Sequence, residues 1–262
     1  MPTPASPTPD PAALVSRLRA AGCVFAEDEA GLLIGAAPDP AALAALVDRR
    51  VAGEPLEHLL GWAGFDGLRV VVEPGVFVPR RRTELLVARA AALAHPAAVL
   101  VDLACGSGAI GAAVAARVPG VELHAVDIDP AAVRCARHNL GPLAGQVYLG
   151  DLYAPLPARL RGRIDVLVAN VPYVPTGAVA LMPPEARLHE PRVALDGGPD
   201  GLDVLRRAAA GAGDWLTPGG YLLVETGVDQ AAAAVDAFAA AGLTPTVASD
   251  DELAATVVIG RR

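Results

Sequence analysis

The chain has 262 residues, 53% of them hydrophobic, with 21 basic against 29 acidic side chains and a net charge of -8. That balance argues against a general polynucleotide partner, which calls for a basic face, and the length suits one large α/β domain with a smaller companion. The most apolar stretch, Leu103 to Ala116, is interrupted by Gly106, Gly108 and Gly111 and is shorter than the ~20 residues a spanning helix needs, so no membrane segment is expected.

Residues 1–9 are rich in Pro, Ser and Thr and read as disordered. They have neither the basic nor the apolar region of a secretory signal. Asp10 followed by Pro11 starts a helix with an apolar stripe at Leu14, Val15 and Leu18, stopped by Gly22. Asp39-Pro40 repeats that start for a second helix through Leu43, Leu46 and Val47 to near Gly53, and a short third piece follows at Pro55–Leu60. Leu68, Val70 and Val72 alternate, Glu73-Pro74-Gly75 supplies a turn, and Val76-Phe77-Val78 resumes the strand character, so residues 65–78 are expected to form a hairpin. Thr83 to Leu93 is then helical.

Beyond His95-Pro96 the pattern becomes a β–α rhythm. Strands are expected at Val99–Leu103, Val121–Val126, Gln146–Leu149, Ile164–Ala169 and Gly220–Glu225, with helices from Ala109, Pro130, Gly201 and Asp229. Thr244–Ala248 and Ala255–Ile259 read as an antiparallel finish. Apolar strands alternating with helices indicate a parallel sheet covered on both faces.

In such folds ligands bind beyond the carboxyl ends of the strands. Gly106-Ser107-Gly108-Ala109-Ile110-Gly111 follows the first sheet strand and matches GxGxxG, a pattern that lets backbone amides approach a ligand. A dinucleotide site and close strand–helix packing remain alternatives on this motif alone. Asp127 ends the next strand, where a carboxylate can accept both hydroxyls of a ribose, whether of a nicotinamide cofactor or of S-adenosylmethionine. Asp129 before Pro130 is a helix cap. Asp151 can accept from an adenine amino group, with Leu152 covering the ring, or be a solvated turn residue.

Asn170-Val171-Pro172-Tyr173 discriminates among these. A planar amino group is oriented by two acceptors, which the Asn170 side chain and the Val171 carbonyl can supply, with Pro172 stiffening the loop and Tyr173 offering a ring. A dehydrogenase has no use for this arrangement.

With these residues in place, the chain resembles the class I S-adenosylmethionine-dependent methyltransferases, and more narrowly the protein-(glutamine-N5) methyltransferases of the HemK/PrmC type. Gly53-Glu54-Pro55 resembles that family's GEP segment, Phe77-Val78-Pro79-Arg80-Arg81-Arg82-Thr83-Glu84 its F-[IV]-P-R-x-x-T-E segment, and Glu190-Pro191 through Ala194-Leu195-Asp196-Gly197-Gly198-Pro199-Asp200-Gly201-Leu202 its EP…AL-x-GG-x-DGL segment. The resemblance implies a Rossmann-like α/β fold: a seven-stranded sheet with its last strand antiparallel, behind a small helical domain and a hairpin. It divides the chain into residues 10–64, a substrate-recognition domain, 65–80, a hairpin linker, and 81–262, the methyltransferase domain. It implies that Ala104, Cys105, Gly106, Ser107 and Gly108 cradle S-adenosylmethionine, with Asp127 at the ribose, Asp151 and Leu152 at the adenine, and Pro79, Thr83 and Asn170 also approaching the cofactor. Asn170, Val171, Pro172 and Tyr173 would hold the glutamine amide of a protein substrate, a release factor being the family's partner.

Two departures are visible: Val171 stands where the family has Pro, and the front region is short. The remaining readings are a methyltransferase of a small-molecule or nucleobase amine, and a non-catalytic module that binds the cofactor. No His, Cys, Asp or Glu spacing indicates a metal site, and the three Cys lack CxxC spacing, which fits a reduced, cytoplasmic thiol set; a monomer is expected. The five His are read as structural, Arg80-Arg81-Arg82 equally as a basic lip or a solvated helix start, and Glu185, His189 and Glu190 as a polar loop face in preference to the lining of a substrate groove.

Overall fold

A computed structural model describes residues 10–262; the expected disorder of residues 1–9 lies outside that range. The chain opens with α1 (Pro11–Ala20), α2 (Ala26–Ala36), α3 (Pro40–Val51) and α4 (Leu56–Leu60). The caps act as the sequence suggests: Asp10 accepts from the Ala12 amide at 3.1 Å and Asp39 from the Ala42 amide at 2.8 Å. Helix α2 was not expected. Its N-cap position is Phe25, which makes no side-chain cap bond, and Gly31 and Gly35 dilute its pattern. Leu33 nevertheless packs with Leu14, Leu18, Leu43 and Val47 into a small core of its own.

Arg50 binds Glu29 within this module at 2.6 and 3.2 Å, and the two side chains are each only 11% exposed. Arg50→Ala leaves Glu29 buried without its partner, and losing one member of a buried pair costs about 3–5 kcal/mol. Urea unfolding should therefore show an earlier transition for that variant.

The hairpin lies earlier than expected. Strand β1 (Trp62–Phe65) pairs with β2 (Leu68–Val71) in the register Phe65↔Leu68. Its turn is Asp66-Gly67, with φ of +50° and +76°. Two successive positive φ values suit the right-handed twist of a two-residue hairpin. Val76–Val78 is not a strand: Val76 and Val78 are buried beside Val72 and Cys135, and the Val78 amide donates to Glu190 at 3.1 Å.

The main sheet consists of β3 (Val99–Leu103), β4 (Glu122–Asp127), β5 (Gln146–Leu149), β6 (Ile164–Ala169), β7 (Leu216–Glu225), β8 (Thr244–Asp250) and β9 (Ala255–Arg261), in the order β5-β4-β3-β6-β7-β9-β8. All pairings are parallel except those of β9, which runs antiparallel to both β7 and β8. The α/β sheet with an antiparallel last strand is thus as expected. Helices α5 (Glu84–Leu93), α6 (Ala109–Arg117) and α7 (Pro130–Leu140) pack on one face through Leu86, Ile110 and Leu140. Helices α9 (Asp203–Trp215) and α10 (Ala231–Ala240) cover the other through Leu205 and Phe238. Between β6 and α9 the chain forms a strap that includes the short helix α8 (Pro184–His189), where only a polar loop was expected.

The strand order reverses between β3 and β6: the chain builds β4 and β5 on one side of β3, then crosses to the other. A crevice opens beyond the strand ends at that point.

Candidate active site

One cleft lies there, and Pro79, Thr83, Ala104, Cys105, Gly106, Ser107, Asp127, Asp151, Leu152, Asn170, Val171, Pro172 and Tyr173 all line it. Gly108, expected with them to cradle the cofactor, lies just beyond this lining. It is the N-cap of α6 at φ +79°, and a Cβ there would lie 3.0 Å from Leu140. Its freedom serves packing of α6 on α7.

The floor follows β3. Ala104 and Gly106 take positive φ values of +53° and +54°, which turn the loop under the cleft. Cys105 N–H donates to the Val126 carbonyl at 3.0 Å, and Gly106 N–H donates to Asp127 Oδ2 at 2.8 Å. Asp127 Oδ1 accepts from the Asp129 amide at 2.9 Å. Each Asp127 oxygen thus has one fixed backbone partner and one lone pair to spare. Burial raises its carboxyl pKa. Beneath the loop, Asp102 is fully buried and accepts from Gly111 N–H at 2.9 Å, while its Oδ1 has no partner. Burial pushes that carboxyl up to about 7, against the pull of the Gly111 bond. Burial likewise raises the Cys105 thiol pKa, so it stays protonated and is no nucleophile.

The next wall follows β4 and β5. Ile128, 51% exposed, lies in the cleft beside Asp127, and Leu152 faces it from a φ of +45°. Asp151 forms an ion pair with Arg207, both about half-exposed. An apolar slot beside a carboxylate with free lone pairs fits an adenosine, and Asp151 at its rim is shared with a cation.

The far wall is the loop after β6. The Asn170 Nδ2 group donates to Thr83 Oγ1 at 3.3 Å, which leaves the Oδ1 as its free end. Val171 is 1% exposed and packs its side chain into the core, so it is through its backbone that it meets the cleft. The strap supports this loop from behind: Val174 bridges Asp196, and Gly197 N–H donates to the Val174 carbonyl at 2.9 Å. The Tyr173 hydroxyl donates to Glu225 Oε1 at 3.2 Å, and Gln230 Nε2 donates to the Tyr173 carbonyl at 2.9 Å. Burial first, then the nearby Glu225 charge, pushes the Tyr173 phenol up to about 12, so it remains a donor at neutral pH.

Sequence reasoning missed Glu225, Ile128 and Arg207, and misread Glu190. Glu190 is 6% exposed and accepts from the Val78 amide and from Arg80 Nη2 at 2.5 Å. It is a buried anchor of the 77–80 segment, which corrects its reading as loop surface; burial raises its pKa, opposed by Arg80. Arg82 binds Glu225 at 3.2 Å. Arg80 and Arg82 line the cleft and are paired with Glu190 and Glu225, so they are not a free basic lip. The exposed Arg81 and Arg82 open the 3-10 turn Arg81–Thr83 that leads into α5, in keeping with the helix-start reading. The one available signal for Glu225 was its place as the last residue of an apolar strand, as with Asp127. His58 bonds the Val76 carbonyl at 2.9 Å, and His124 lies between Glu122 and Tyr148. Among the described residues no group of His, Cys, Asp and Glu is arranged to hold a metal, and no helix is long and apolar enough to cross a membrane.

Comparison with known proteins places these features in context. A family model described as the methyltransferase small domain matches residues 67–198. The release factor glutamine methyltransferase of Geobacter sulfurreducens is 39% identical over 224 residues, covering 85% of this chain and 78% of that protein. The protein of the same name from Mycolicibacterium smegmatis is 44% identical over 206 residues, 77% of this chain and 73% of that one. Among solved structures, a methyltransferase from Pyrococcus furiosus superposes with a TM-score of 0.56 at 15% identity, over 74% of this chain and 89% of that one. At this identity the superposition speaks for the fold alone.

Proposed function

The chain belongs to the release factor glutamine methyltransferase family, and from that membership we propose that it transfers a methyl group from S-adenosylmethionine to the N5 amide nitrogen of a glutamine in a protein substrate, a peptide chain release factor. The observation that carries this reading is the Asn170 carboxamide: its Nδ2 is held by Thr83, and its Oδ1 is free on the wall opposite the glycine loop.

The cleft suits the cofactor by the chemistry of its walls. Asp127 keeps lone pairs for two ribose hydroxyls, Ile128 and Leu152 offer apolar faces to an adenine, and the loop Ala104–Ser107 presents backbone to the methionine part. When bound, S-adenosylmethionine supplies a methyl group on a positively charged sulfur, open to in-line attack.

The chain's own residues address the other difficulty, that an amide nitrogen is a poor nucleophile because its lone pair is delocalised. Two acceptors, Asn170 Oδ1 and the Val171 carbonyl, take the two N–H bonds and turn the nitrogen's remaining lobe away from themselves. Such positioning contributes several kcal/mol, up to ~7–11 in the best intramolecular cases. Val171 in place of proline leaves this acceptor unchanged, because the acceptor is a main-chain oxygen. Tyr173 forms the adjoining wall. The front module, residues 10–64, serves to hold the protein substrate.

Incubation of the chain with purified release factors and methyl-labelled S-adenosylmethionine tests the proposal. A label confined to one release-factor glutamine, located by mass spectrometry, is the expected result. Label found only on small molecules, or on no acceptor, would overturn it.

A further inference from the structure

Glu225 ends β7, next to β6 in the sheet, where Val224 is in register with Ala169 and Glu225 therefore stands beside Asn170. It is 1% exposed and lies behind the cleft wall. Its Oε1 accepts from the Tyr173 hydroxyl and from Arg82 Nε, both at 3.2 Å, while its buried Oε2 has no partner. A carboxylate buried with one oxygen unsatisfied works against stability. A residue chosen only to fill this space would be apolar.

What the two bonds reach accounts for the charge. Tyr173 is three residues beyond Asn170 on the same loop. Arg82 precedes Thr83, whose hydroxyl receives the Asn170 Nδ2 group. Arg82 also stands over the Tyr173 ring, with Cζ 5.7 Å from its centroid. One carboxylate thereby grips both segments that meet at the Asn170 carboxamide. The stretch that follows adds a second brace, since Gln230 Nε2 donates to the Tyr173 and Asp200 carbonyls, each at 2.9 Å.

We propose that Glu225 is a positioning residue for methyl transfer, holding Tyr173 and Arg82 so that the Asn170 carboxamide keeps its direction. The proposal rests on the methyltransferase reading above. Glu225 touches neither substrate nor cofactor; it acts through the two side chains it joins.

E225Q keeps the volume and removes the charge, so the chain should fold. In E225Q, kcat is expected to fall roughly ten- to a hundredfold, the range for losing hydrogen bonds to a charged partner, with KM for the release factor little changed. S-adenosylhomocysteine should bind as in the parent. Combining E225Q with Y173F should cost little more than the worse single change, because both break one linkage. Hydrogen exchange at the amides of residues 170–174 should speed up in E225Q and stay constant in the front module. Parental kcat, multiplicative losses in the double variant, or unchanged exchange at 170–174 would each overturn the proposal. Failure of the parent chain to label a release factor would count against the methyltransferase reading alone, and the exchange measurement would still decide the role of Glu225.

Discussion

Asn170→Ala should reduce turnover by roughly a hundredfold or more, the scale of losing one preorganised polar group at a reacting centre, and leave S-adenosylhomocysteine affinity close to that of the parent. The two halves of the expectation follow from where the side chain stands. Asn170 lies after β6 and is tied to Thr83, whereas Asp127 and the Ala104–Ser107 loop follow β4 and β3. Alanine removes the one side-chain acceptor proposed for the amide, and the Val171 carbonyl alone cannot fix a group with two N–H bonds. Isothermal titration with S-adenosylhomocysteine and single-turnover kinetics separate binding from chemistry. Near-parental turnover would defeat the assignment of Asn170, and lost S-adenosylhomocysteine binding would move this residue into the cofactor pocket.

The second large effect belongs to a residue outside the cleft lining. Gly197→Ala should also lower turnover by about a hundredfold, because a misplacement of ~1 Å near reacting groups can cost that much. A Cβ on Gly197 would stand 2.5 Å from the carbonyl oxygens of both Pro172 and Gly201. Neither contact is with a flexible side chain, so the backbone itself must yield. Pro172 is the middle of the loop that carries Asn170 and Tyr173, and the strap is bonded to it through the Val174 carbonyl. The displacement is therefore delivered to the loop. Gly213→Ala, in helix α9 with nothing within 4 Å of the added Cβ, is the matched control and should be neutral or slightly stabilising. A Gly197→Ala enzyme with unimpaired kcat would show that the loop does not need its strap.

The sheet was legible because parallel strands buried on both faces are near-continuous apolar runs, and Val99–Leu103 and Ile164–Ala169 are such runs. The cleft residues were legible because they follow those strands directly. Other features depended on distance or on weak local signals. Glu190 and Glu225 reach their arginine partners across 110 and 143 residues, and no local pattern encodes that. Helix α2 lacks a capping side chain and owes its place to packing against α1 and α3. The hairpin was misplaced for a different reason: Asp66-Gly67 carried the correct turn signal, but the alternation at Leu68, Val70 and Val72 ran on into Val76–Val78. Those last residues are apolar because they are buried, and the bond to Glu190 rather than a strand partner holds them.

The last described strand is not at the border of the sheet. Strand β9 enters between β7 and β8, antiparallel to both, so the segment nearest the carboxyl terminus is interior to the sheet. Strand β8 is made earlier yet has no other strand to pair with among the described residues, and must wait for its younger neighbour before it can dock. During synthesis the sheet can therefore grow from β5 to β7 while its final third stays open. Removing residues 255–262 would accordingly separate the edge strand β8 from the rest of the sheet rather than trim a border, with the two bare edges of β7 and β8 offered to whatever strand comes by.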